Sequence, residues 1–199
     1  MVSDLLKDRI ISLYHFLVKK DPNLLFLGGL IGLCSGLSSE FFRWLILFLK
    51  EMFFYGRFEI LSIAPSVPWY FLPLIPMAGG LIIGPLSHFF PTEAKGHGVP
   101  EVMQSIALKN GIIKPRTILL RTFASAVCIG SGGSAGREGP IVQIGSSIGS
   151  ALGQLFNMSA ERIKILVGCG AAGGIAATFN APLAGVIFSM EIILGVFSI

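Results

Sequence analysis

Apolar residues in this chain come in long blocks, not in the alternation or narrow stripes of a soluble fold. The first block starts after Asp21-Pro22 and runs from Leu24 to about Leu49, interrupted by Glu40 and Arg43. About 20 apolar residues cross about 30 Å of hydrocarbon, so this block is long enough to span a bilayer at a tilt. The second block, Trp69 to Phe90, holds Pro73, Pro76 and Gly79-Gly80 and is expected to break at them. Irregular backbone at membrane depth has to be buried in protein. Ahead of both blocks, Leu5, Leu6, Ile10, Ile11, Leu13, Tyr14 and Leu17 recur at helical spacing. They predict an amphipathic helix over residues 1–22, lying on the membrane surface.

Beyond Phe90 the pattern changes to short apolar stretches, at roughly 98–108, 116–130, 139–156, 163–179 and 182–197, separated by Gly, Pro and Ser. Each is too short or too interrupted for a simple isolated span. Broken helices of this kind occur in transporters whose substrate site is built from helix ends near the membrane middle. Small residues recur at four-residue spacing in Gly28/Gly32/Gly36, Gly80/Gly84 and Gly145/Gly149/Gly153. These are assigned to close helix packing and to no transport role.

Composition agrees with a lipid-solvated chain. Of 199 residues 53% are hydrophobic and 13% charged, and the mean hydropathy is +0.77, which is not the composition of a soluble domain. The net charge of +4 does not point to nucleic acid, because the basic residues are not gathered on an aromatic-interleaved polar stretch. Lys7, Arg9, Lys19 and Lys20 precede the first block and place the N-terminus in the cytoplasm. Residues 1–20 lack the order of a cleavable signal. Cys34, Cys128 and Cys169 sit inside apolar stretches without metal-ligand or disulfide spacing, and read as small buried hydrophobes. No metal or cofactor is expected.

Candidate chemistry gathers at three breaks. Gly130-Ser131-Gly132-Gly133-Ser134-Ala135-Gly136-Arg137-Glu138-Gly139-Pro140 joins an apolar stretch to a helix start. Pro140 suits a first turn, and unpaired N–H groups there, aided by the helix dipole, form an anion site. Amide dipoles hold an ion less tightly than a full Lys or Arg charge, which suits throughput. A nucleotide phosphate loop fits poorly, since neither a Gly-Lys-Ser/Thr ending nor a G-x-G-x-x-G register is present. Glu138 beside such a helix start can occupy the place of a bound anion and leave it when protonated. Equally, it can serve the helix end and neutralise Arg137.

The second break, Lys95-Gly96-His97-Gly98-Val99-Pro100-Glu101, repeats the same grammar, so two helix starts are expected to face one site. His97 offers a ring N–H or a titrating group, against the commoner role of a hydrogen bonder in a turn. Glu101, in the first turn, is assigned to the helix dipole. The third constellation runs from Gly168 to Ile193. There Asn180 is expected to cap a helix carrying Pro182 near its start, and Glu191 is an ionisable group in an apolar helix that needs a buried partner or a watery cavity.

Together these strings resemble the CLC family of chloride channels and chloride/proton exchangers, over nearly the whole chain. Gly136-Arg137-Glu138-Gly139-Pro140 matches that family's gating-glutamate motif letter for letter, and Asn180-Ala181-Pro182-Leu183-Ala184-Gly185 follows at the family's distance. The resemblance implies an all-α membrane protein of broken, tilted transmembrane helices. Residues 23–199 would form the first of two inverted repeats, the second being absent from this chain. It implies a multi-pass, non-enzymatic protein, in the plasma (inner) membrane and homodimeric, that moves chloride or a similar monovalent anion, either channel-like or coupled to protons. Glu138 would be the gate, with Gly96, His97, Gly98, Gly136, Arg137, Glu138, Gly139 and Pro140 about the anion. Further amides and a Tyr hydroxyl would come from the second repeat.

Two positions depart from the family's pattern. His97 stands where many chloride-selective members carry Ser. Ile192 stands where many exchangers carry an internal proton-transfer glutamate, and Glu191, one helical step of about 100° away, faces another surface. Anion movement without tight proton coupling is therefore the expectation. The alternative is a truncated or accessory membrane fragment that forms no complete pore alone.

Overall fold

The computed structural model describes residues 22–54, 73–89 and 98–195. The proposed surface helix over 1–22 lies outside them, apart from Pro22. The described residues are helical, without a strand among them.

Helix α1, Pro22–Phe54, is a single 33-residue rod, about 50 Å long at 1.5 Å per residue. It runs past the predicted block at both ends, and Glu40 and Arg43 do not interrupt it. They pair across one turn at 2.7 Å on the exposed face. Helix α2, Leu74–Phe89, corrects the expected breaks in the second block. Pro76 falls in its first turn, where a missing N–H costs nothing. Gly79 stays helical and lets the helix lie against Ser131, whose side chain occupies the space a β-carbon at Gly79 would need.

The later stretches follow their Gly and Pro punctuation closely. They form α3, Val99–Leu108, α4, Pro115–Gly130, α5, Glu138–Leu155, and α6, Ala160–Phe179. The last stretch divides into a short α7, Pro182–Phe188, and a wider π turn, Ser189–Ile193. In that turn Leu194 N donates to Ser189 O at 2.9 Å, while the Ser189 hydroxyl donates to Gly168 O at 2.7 Å.

Helices α5 and α6 are the centre, and they meet backbone to backbone. A β-carbon at Gly145 would strike Gly170 O, and one at Gly149 would strike Leu166 O. The small-residue spacing thus serves the close approach expected of it. Ser35 of α1 donates to Gly170 O at 2.6 Å, and the hydroxyls of Ser39 and Thr178 are 2.7 Å apart. One apolar cluster joins Phe42, Ile46 and Leu49 of α1 to Ala126 and Val127 of α4 and Ile141 and Ile144 of α5. A second joins Val102 of α3 and Val142 of α5 to Ile163, Val167, Ala171 and Ile175 of α6 and Ile193.

Helices α1 and α6 are long and apolar enough to cross a membrane, and α6 corrects the expectation that the 163–179 stretch is too short or too interrupted to do so, because its glycines stay helical. The two helices differ in place: 17% of the most apolar window of α1 is buried, against 44% in α6. Phe26, Leu33, Leu37, Trp44 and Met52 of α1 all face outward, as side chains solvated by lipid do. Cys34, Cys128 and Cys169 are free thiols, half-buried rather than fully buried as expected.

Candidate functional site

The break before α5 is built by its own backbone. Ser131 N donates to Val127 O at 2.9 Å, Gly132 N to Ile129 O at 3.1 Å and Gly133 N to Cys128 O at 2.9 Å. Gly132 takes a left-handed φ of 89°, which glycine reaches without steric cost. A β-carbon at Gly133 would lie 2.7 Å from Cys128 O, so that position also has to be bare.

The chain then enters α5 at Arg137 with no side chain capping the helix. Glu138 is therefore the first helical residue and not its cap. Its carboxylate folds back over Gly136 into the space a β-carbon there would fill. The first intrahelical bond runs from Ile141 N to Arg137 O at 3.1 Å. Pro140 has no N–H, so the amides of Arg137, Glu138 and Gly139 are the donors the helix itself leaves open at its start.

The second helix start comes to the same place. Gly98 opens α3 with φ 65°, and a β-carbon on it would lie 2.9 Å from Gly139 Cα. Two backbones thus touch where α3 and α5 begin, as the repeated turn grammar predicted. Gly96 and His97 lie outside the described residues. Arg137, an exposed side chain, lines a small depression with Ser39, Glu40, Arg43 and Thr178 at the α5 entry.

Three sequence readings need correction. Asn180 ends α6 in a left-handed conformation, φ 51°, and α7 opens at Ala181 without a side-chain cap. A short side chain that tolerates positive φ is used to stop one helix instead of starting the next. Glu191 is exposed on this chain, and Ile192 beside it is 37% exposed. Both lie in the π turn Ser189–Ile193 and not in an α-helical segment. Glu101, assigned to the α3 dipole, instead pairs with Arg121 of α4 and accepts from Gln143 Nε2 of α5 at 3.1 Å.

Arg121 and Gln143, each 6% exposed, were missed by sequence reasoning. The signal was present for Arg121: a charge in the apolar 116–130 stretch needs a partner by the argument applied to Glu191.

The family described as voltage gated chloride channel matches residues 79–199, which include both helix starts and the α6–α7 junction. The chain belongs to the CLC family. It is an integral membrane chain of that family's all-α type. It is similar to a protein of Ralstonia nicotianae named as a ClcB-like chloride channel protein, 35% identical over 176 residues, covering 86% of this chain and 41% of that protein. It is also similar to H(+)/Cl(-) exchange transporters ClcA. That of Vibrio vulnificus is 34% identical over 173 residues, with 85% and 36% covered. That of Vibrio cholerae is 35% identical over 181 residues, with 89% and 38% covered. The chain thus spans between 36% and 41% of the length of these curated relatives.

Proposed function

We propose that the full-length CLC protein moves chloride or a similar monovalent anion across the plasma (inner) membrane, with its N-terminus in the cytoplasm and Glu138 as the gate. The observation that carries the reading is the meeting of two helix starts at Gly98 and Gly139. Their open amides present partial positive charge at one place without a fixed cation. The anion is held by the backbone at Gly98, Gly136, Arg137, Glu138 and Gly139, with His97 and Gly96 as further members of the site and Pro140 keeping the first turn of α5. Glu138, its carboxylate folded over the bare Gly136, competes with the anion when ionised and releases the place when protonated.

Residues 23–199 act as the first of two repeats, and a second repeat and a second copy of the chain complete the assembly. A chain ending at residue 199 would contribute only these amides, and would act as a fragment without a complete pore.

The test is anion flux from liposomes holding the full-length protein, measured against external pH. Glu138→Gln and Glu138→Ala should both flatten the dependence, because neither side chain titrates; an unchanged profile in both returns Glu138 to a structural role. In the same liposomes an imposed chloride gradient should drive no uphill proton movement, since Ile192 cannot carry a proton. Uphill movement that Glu138→Ala abolishes would establish coupled exchange instead.

A further inference from the structure

We infer that the cluster of Glu101, Arg121 and Gln143, in which the last two are buried and Glu101 is part-exposed, sets the spacing between the two helix starts, with Glu101 as the positioning residue for the anion site. Arg121 Nη1 and Gln143 Nε2 both donate to a single oxygen, Oε2 of Glu101. Each of the three residues comes from a different helix: Glu101 from α3, Arg121 from α4 and Gln143 from α5. One carboxylate oxygen therefore ties three elements together.

Its position gives the tie a purpose. Glu101 lies three residues after Gly98, and Gln143 four residues after Gly139, so the cluster sits one helical turn, about 5 Å, behind the Gly98–Gly139 contact. At that contact neither residue has a side chain, so nothing there but backbone fixes how far apart the two sets of amides stand. A hydrogen-bonded strut one turn back supplies what the glycines cannot.

Stability alone is a poor explanation for such a cluster. An ion pair with one partner buried gains little over well-packed apolar residues of similar volume, because the Arg121 guanidinium loses its hydration. What a planar guanidinium and an amide converging on one carboxylate oxygen supply is direction. The Glu101–Arg121 pair is formally neutral, so its effect on a bound anion runs through geometry more than through added charge.

The inference rests on the anion-transport reading above. The experiment is calorimetric titration of chloride into purified full-length protein, comparing wild type with Gln143→Leu, which removes the strut to α5 and leaves the Glu101–Arg121 pair in place. The chloride Kd should rise about tenfold, with the number of sites per folded protein unchanged. Arg121→Lys, which keeps the charge but loses the planar guanidinium that donates to Glu101 Oε2, should raise it about threefold. A merely structural role would lower the fraction of binding-competent molecules and leave the Kd alone. Should Gln143→Leu not yield monodisperse protein, Arg121→Lys carries the test. A Kd within about twofold of wild type in every folded variant overturns the inference. Wild-type protein that binds no chloride defeats the transport reading and this inference with it; binding by wild type with unchanged variants defeats this inference alone.

Discussion

Gly149 and Gly136 both leave no room for a methyl group, but for opposite reasons. At Gly149 the obstacle is Leu166 O, a backbone atom of α6 that cannot move without moving its helix. At Gly136 the obstacle is the Glu138 carboxylate, the end of a flexible side chain. The first glycine holds two helices together, and the second makes space for a group that has to be able to leave. Substitution at the first should therefore cost the fold, and at the second should cost only the behaviour of Glu138.

Gly149→Val gives the largest expected effect. Overpacking a rigid contact costs about 1–3 kcal/mol and more when backbone opposes it, so the variant should give little monodisperse protein in detergent and a much lower midpoint in a thermal melt. Wild-type melting would mean that α5 and α6 can part, and would erase the contrast.

Gly136→Ala should melt within about 0.5 kcal/mol of wild type, since a displaced side chain is a small perturbation. Its external-pH profile of anion flux should nevertheless shift, because the carboxylate of Glu138 is driven from its place. Normal stability with an unshifted profile would separate that place from gating.

Ser35→Ala tests the α1 side of the same crossing by deleting the hydroxyl that donates to Gly170 O at 2.6 Å. A loss of about 1 kcal/mol is expected, read from chemical or thermal denaturation.

The smallest effect belongs to Gly80→Ala on α2. No atom of the described residues lies within 4 Å of a β-carbon there, so the change should be neutral or stabilise the helix by up to about 1 kcal/mol. A marked loss in the full-length protein would show that another segment packs on this face.

How much of this was readable beforehand depends on what kind of signal each feature leaves. The starts of α3, α4 and α7 were legible because Pro100, Pro115 and Pro182 fall in their first turns, and the meeting of two helix starts was legible from repeated Gly-Pro grammar. The continuity of α1 through Glu40 and Arg43 was not, because the two charges look like an interruption until their pairing across one turn is seen. Gly80 shares the four-residue spacing of Gly145 and Gly149, yet a β-carbon there would meet no other element among the described residues. Spacing permits close approach, but only a partner helix makes it. Gln143 was invisible for a related reason: one polar residue in a Gly- and Ser-rich helix carries no mark of the carboxylate it will meet.

The link between α3 and α4 shows what such long-range partners do to a sequence over time. Ser150 of α5 donates its hydroxyl to Gly111 O at 2.7 Å and accepts from Ile113 N at 2.9 Å, so a side chain from a distant helix plays the part of the link's missing neighbour strand. Asn110 and Gly111 hold left-handed backbone, φ 53° and 76°, while Lys109, Ile112 and Lys114 are exposed and their side chains take no part in these two bonds. Divergence is therefore expected to rewrite the letters at 109, 112 and 114 more freely than to add or drop a letter between 111 and 113, because the two bonds measure that spacing and ignore much of its spelling.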